Sequence, residues 1–419
     1  MSVFVKATAS RSRSLKSILG GIAIVGASAL VLSGCAAPAD PETSAGPREP
    51  LTLKIGTILP QSGTLAFLGP PEEAGVALAV KDVNDADLGI TIDVQYRDSG
   101  DTTTDTATVS VTDLLSLGVS AIIGAASSGV SKTVIDQITG AGVVEFSPAN
   151  TSIDFTDYAD DGLYWRTAPS DVLQGEVLGN LVADDGIEAL GIIELNDSYG
   201  TGLAAKLKET YEGAGGKVVA ESLYNTGDTV FTTQISEVMA ANPDAIALVT
   251  FDEAKIIVPA LRGAGYTGAL YFVDGNLADY SADFAPGTLT GSKGTLPGLD
   301  VGTLGDFTDR LLEINPDLTD YSYAAESYDA VILVALAALA ANSTDGKDIA
   351  SKLQEVSGGS GDGKKATDFA SAAQIILDGG VVDYDGYSGP ITFDENGDPT
   401  EATIGIYEYK EDNTYERIN

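Results

Sequence analysis

From Leu51 onward, short β-like runs alternate with helical patterns, and they do so in two successive series. In the first, 51–59 (LTLKIGTIL) reads as a strand and 72–83 as a helix with apolar residues at helical spacing. The run 90–96 (ITIDVQY) alternates strictly and reads as a half-exposed strand. A helix ending near Gly118, a buried strand at 119–123, a helix at 131–139 and a strand at 143–146 complete the series. Past Arg166 the second series predicts helices at 172–183, 202–213, 232–241 and 253–263. Between and after them, strands are predicted at 190–195, 218–222, 245–250 and 270–273. Such βαβα order demands parallel sheets covered by helices on both faces. The expected fold class is therefore α/β, with two doubly wound lobes.

In a doubly wound lobe, ligands collect in the crevice at the carboxyl ends of the strands. Short loops of small polar residues follow several of the predicted strands: GAASSG, SPANT, NDSYG, TFDE and VDGN. Any one of them alone reads equally well as a helix cap or turn, which Ser, Asp and Asn favour. Five at corresponding strand ends in two lobes point to a shared crevice.

The N-terminus sets the compartment. Lys6, Arg11, Arg13 and Lys16 precede an apolar run at 18–32. Fifteen residues make a helix of about 22 Å, short of a bilayer core of about 30 Å. Residues 1–34 accordingly read as an export signal. Leu32-Ser33-Gly34-Cys35 resembles the bacterial lipobox, in which cleavage before the Cys leaves a thiol that carries lipid. Cys35 is the only cysteine, so its expected role is lipidation. Acyl chains there would anchor the protein to the outer side of the cell membrane. Residues 35–50, rich in Pro, Ala and small polar residues, read as a tether. The apolar stretch 330–341 is too short to span and reads as a buried core helix.

Composition narrows the chemistry. Removing the four basic residues of the signal leaves 19 against 61 acidic residues, a net charge of −42. That surface repels nucleic acid and anionic headgroups. There is no histidine, which excludes Ser-His-Asp and Cys-His catalysis and HExxH zinc sites. No metal site or cofactor is expected: DENGD at 394–398 lacks the EF-hand spacing, and GGSGDGKK at 358–365 lacks the order of a phosphate loop. The chain is expected not to be an enzyme.

From IGTILPQSG through AAESYDA to SGPITFDENGD, the order and spacing of these loops resemble the branched-chain amino-acid-binding family of type I periplasmic binding proteins. The resemblance implies two Rossmann-like lobes joined by three crossovers. Lobe one would comprise 51–166 and 295–390, and lobe two 167–294 and 391–419, with 404–410 (IGIYEYK) returning to lobe two. It implies that Ser128 holds a ligand carboxylate, and the start of a helix at Ser127 or Ser128 suits an anion. Ala149 would offer its carbonyl and Thr151 its N–H and hydroxyl, with Asp274 facing the ligand ammonium. Tyr199 would lid the ligand, while Phe251 and Leu68 would shape the side-chain pocket. The expected protein is a monomeric, lipid-anchored, extracytoplasmic binding protein that delivers an amino acid or analogue to an ABC permease. Two alternatives remain: a ligand-sensing receptor module of the same fold, and an exported carboxylate-dependent hydrolase. The hydrolase requires two acids facing each other in the cleft, and only Asp274 is identified.

Overall fold

A computed structural model describes residues 48–419. The expected signal segment, the Cys35 lipidation position and the tether up to residue 47 lie outside the described residues.

The first sheet is built from β1 (Leu51–Leu59), β2 (Ile90–Asp98), β3 (Ala121–Gly124), β4 (Val144–Ser147) and β5 (Tyr164–Arg166). All five are parallel, in the order β2-β1-β3-β4-β5. Leu53, Ile55, Ile58 and Leu59 of the central β1 are fully buried, whereas edge strand β2 alternates buried and exposed at its start. A strand covered on both faces reads as a continuous apolar run, and an edge strand does not. The connecting helices are α1 (Gly69–Ala86), α2 (Thr106–Ser116) and α3 (Ser128–Gly140). Prolines at its first positions let α1 begin at Gly69, a turn before the expected 72. Likewise α3 begins at Ser128, because the Ser127 hydroxyl caps it by accepting from Val130 N at 3.4 Å.

The second sheet repeats the arrangement. Its helices are α4 (Asp171–Asp184), α5 (Ser198–Gly213), α6 (Thr232–Ala240) and α7 (Ala254–Gly263). Its parallel strands are β6 (Ala189–Leu195), β7 (Lys217–Tyr224), β8 (Ala245–Val249), β9 (Ala269–Phe272) and β10 (Lys293–Pro297). They lie in the order β7-β6-β8-β9-β10, the counterpart of the first sheet's order. β10 stays bonded in this sheet through Pro297, past the 294/295 boundary expected from sequence.

The chain then returns to lobe one as α8 (Gly305–Ile314), α9 (Ala324–Ala341), α10 (Gly346–Val356), β11 (Lys364–Ala366), α11 (Phe369–Leu377), β12 (Val382–Gly386) and β13 (Gly389–Pro390). The strands β11, β12 and β13 form a small separate sheet. Among the described residues α9 is the one helix long and apolar enough to cross a membrane, yet 89% of it is buried inside the fold. It packs on α1, α10 and α11 and fills the lobe-one core with β1, β3 and β4. The contact with α1 is close: a Cβ on Gly75 would sit 2.2 Å from the Ala324 carbonyl oxygen. Finally β14 (Ile404–Tyr409) pairs antiparallel with β10 and β15 (Tyr415–Arg417) antiparallel with β14, so the second sheet has seven strands.

Three crossover segments thus join the lobes, and they touch one another. Arg166 N donates to Gly397 O at 3.2 Å, and Gly298 N donates to Thr403 O at 2.8 Å.

Candidate functional site

In each sheet the strand order reverses beside the first strand, between β1 and β3 and between β6 and β8. Crevices form at such switch points. The loops after β1, β3 and β4 supply one wall of a narrow void, of about 10 Å³, through Leu65, Leu68, Ala126, Ser127, Ser128 and Ala149. The loops after β6, β8 and β9 supply the other, through Tyr199, Phe251, Asp274 and Gly275. Tyr323, just before α9, closes the hinge side. The lobes touch across the cleft, where the Ser152 hydroxyl donates to Ser198 O at 2.9 Å.

Seven of the eight residues singled out from sequence line this void: Leu68, Ser127, Ser128, Ala149, Tyr199, Phe251 and Asp274. Thr151 is buried behind the wall instead, its hydroxyl beside the Asp171 carboxylate without a hydrogen bond of normal geometry. Ser127 spends its hydroxyl on the α3 cap, and the Ser128 hydroxyl accepts from Ser152 N at 3.3 Å. The start of α3, the positive end of its dipole, stands beside the void that Ser127 and Ser128 line.

The opposite wall is acidic. Asp274 Oδ1 accepts from the Tyr199 hydroxyl at 2.7 Å and from Gln174 Nε2 at 3.0 Å. Its Oδ2 accepts from the Tyr323 hydroxyl at 2.7 Å. The Tyr199 ring stacks on Phe251, centroids 5.2 Å apart, and its oxygen accepts from Gly275 N at 3.2 Å. Burial raises the Asp274 carboxyl above its ordinary range despite these donors.

Three residues escaped sequence reasoning: Asp171, Gln174 and Tyr323. Asp171 is fully buried at the start of α4, and neither carboxylate oxygen has a hydrogen-bond partner. Burial and then the nearby Asp274 charge push its carboxyl well above the usual range. In sequence it hides as an ordinary helix-start acid after the Ser170 cap. Tyr323 adopts a left-handed backbone (φ 59°, ψ 10°), which costs a non-glycine residue about 1 kcal/mol and which no sequence pattern reveals. A second acid, Asp171, thus lies buried behind the one identified from sequence. Asp274 is saturated by neutral donors, whereas Asp171, which burial favours in its protonated form, has no hydrogen-bond partner.

A void with a helix start at one end, the Asp274 carboxylate at the other with Asp171 buried behind it, and apolar Leu65, Leu68 and Phe251 between suits a small zwitterion. No cluster of three or more acids able to hold a metal occurs among the described residues.

The family model described as "Periplasmic binding protein" matches residues 52–410. The Leu/Ile/Val-binding protein homolog 1 of Brucella suis is 27% identical over 308 residues, covering 72% of this chain and 82% of its own. The chemotactic signal transduction system substrate-binding protein BasB of Halobacterium salinarum is 26% identical over 357 residues, covering 82% of this chain and 83% of its own. The crystal structure of the leucine-binding protein LivK from Thermotoga maritima superposes with a TM-score of 0.73 at 21% identity, over 88% of this chain and 98% of that one.

Proposed function

We propose that this chain, which belongs to the branched-chain amino-acid-binding family of type I periplasmic binding proteins, captures a small amino acid or close analogue between its lobes. The observation that carries the reading is the unpartnered, buried Asp171 beside Asp274, across a narrow void from the α3 amides. A carboxylate left unsatisfied in an apolar interior is costly unless a cation arrives. A ligand ammonium would meet that need, while the ligand carboxylate takes the helix amides and the Ser128 hydroxyl.

Ligand would land on the lobe-one loops, with Ser127, Ser128, Ala149 and Thr151. Lobe two would then swing in with Tyr199, Phe251 and Asp274. Contacts present only in the closed form supply the differential affinity that shifts the population. The narrowness of the void favours a compact side chain seated against Leu65, Leu68 and Phe251. We further propose attachment to the outer face of the membrane through lipid on Cys35, action as a monomer and delivery to an ABC permease. Members of the family work outside the cytoplasm.

The sensing alternative gains support from the likeness to BasB, a substrate-binding protein of a chemotactic system. Loss of amino-acid uptake on deletion would favour transport, and loss of taxis alone would favour sensing. A hydrolase would need a carboxylate free to exchange protons with water, whereas Asp274 has both oxygens occupied and Asp171 is fully buried behind the wall of the void. Substrate turnover by the purified protein would reverse that judgement.

Native mass spectrometry after gentle purification would identify the bound solute, and calorimetry would measure its affinity. Asp274→Ala is expected to weaken binding by about 2–5 kcal/mol, since it strips one partner from a buried polar network. Unchanged affinity discards the ammonium assignment.

A further inference from the structure

A second concavity, of about 130 Å³, opens where the crossovers meet, and Tyr323 is common to its wall and that of the ligand void. It is walled by the end of β10, the crossover after it, the 319–323 segment and the β14–β15 hairpin. Its lining carries the carboxylates of Asp300, Asp320 and Glu326, and neither Lys nor Arg lines it. Tyrosine rings make up much of the rest. Those of Tyr407 and Tyr415 meet edge to face, 5.5 Å apart at 82°.

Glu326 distinguishes this cleft from a patch of surface acids. It is 5% exposed and lines the concavity, yet no ion pair or hydrogen bond from another described residue reaches its carboxylate. Its own backbone N–H is the one donor it has. A second buried acid, Glu72, lies near enough to repel it, and both Glu72 oxygens lack a partner. Arg417, beside Tyr407, turns to the Gly298 carbonyl 3.4 Å away and pairs with none of the three lining acids.

The geometry points to a second binding site at the hinge, for an organic ammonium ion held by Glu326, Asp300 and Asp320 and faced by the rings of Tyr407 and Tyr415. Aromatic faces attract such cations and carboxylates neutralise them, while a bare metal ion is disfavoured because the acids do not converge as ligands. Burial pushes the Glu326 carboxyl up to about 8, so the empty cleft holds it protonated near neutrality. An arriving cation would displace that proton. Because the Tyr323 hydroxyl bonds Asp274, occupancy at the hinge would alter affinity in the cleft, and reciprocally.

Calorimetry of the whole protein with choline and with putrescine, at about pH 7 and fixed ionic strength, tests this. The expected result is saturable one-to-one binding whose heat varies with the ionisation enthalpy of the buffer, revealing proton release. Glu326→Gln, and independently Asp300→Asn on the more exposed rim, should each weaken it about tenfold or more. Asp274→Asn, which keeps an acceptor for the Tyr323 hydroxyl, should change choline affinity far less than it weakens the cleft ligand, which separates this site from the first. No saturable binding of either probe up to about 10 mM overturns the proposal. So does binding lost in Asp274→Asn but kept in Glu326→Gln and Asp300→Asn, which would place the probe in the interlobe void.

Discussion

The Arg166 guanidinium grips both carboxylate oxygens of Asp398, Nε to Oδ1 at 2.6 Å and Nη2 to Oδ2 at 2.8 Å. Arg166 ends β5 at the first crossover, and Asp398 lies in the third, so the pair ties two hinge segments together. Arg166 also donates to Ser152 O at 2.8 Å and Asn150 O at 3.3 Å, which fixes the loop bearing Ala149 and Thr151.

Asp398→Asn is expected to destabilise the protein by about 3 kcal/mol, because it strands a fully buried guanidinium. Urea unfolding would show a lower midpoint with an unchanged slope. A midpoint equal to wild type would mean the pair contributes nothing.

Asp171→Asn should separate stability from binding. Removing one of two adjacent buried carboxyls relieves repulsion, so the ligand-free variant should be at least as stable as wild type. Affinity for the cognate solute should fall about tenfold or more, as one counter-charge to the ammonium is lost. Retained affinity would show that Asp171 is only a structural burden.

Ligand-free stability should rise as pH falls from about 8 to about 5. Burial raises the folded-state carboxyls of Glu326 to about 8, Glu194 to about 7, and Asp197 and Asp329 to about 6. Over that window the folded chain holds more protons than the unfolded one, so unfolding is disfavoured by added acid. Urea midpoints across the range check the sign, and a steady loss of stability toward pH 5 would refute it.

Gly298→Ala should cost about 1–3 kcal/mol. Its φ of +103° suits glycine alone, and an added Cβ would lie 2.5 Å from Glu326 Oε1. Gly213→Ala is the control: nothing lies within 4 Å, and a helical alanine should add a few tenths of a kcal/mol. Thermal denaturation of both variants tells a local clash from a general intolerance to substitution.

The alternating strands were legible because parallel strands covered on both faces leave apolar runs, unbroken at β8 and dominated by Leu and Ile at β1. The polar loops at their ends were legible for the same reason: they follow those runs. Helix starts were read about a turn late at α1, α3 and α5, where prolines and the side-chain caps Ser127 and Asp197 extend the helix beyond its apolar face. The 298–390 return held α8, α10, α11 and the β11–β13 sheet unread, since none of them continues a parallel sheet. Asp171 looks like any helix-start acid until its burial is known, and Tyr323 reaches the void only through a backbone conformation that no residue pattern encodes.

The late arrival of β14 has a consequence for how the molecule is made. Residues 404–409 complete a sheet begun at residue 189, pairing Lys293 with Glu408 after the chain has built half of the other lobe. During synthesis β10 must wait with an open edge, the kind of surface on which nascent chains stick to one another. Contacts so distant along the chain also fold slowly. Loss of the last few dozen residues would therefore harm folding yield far more than their small share of the buried interior suggests.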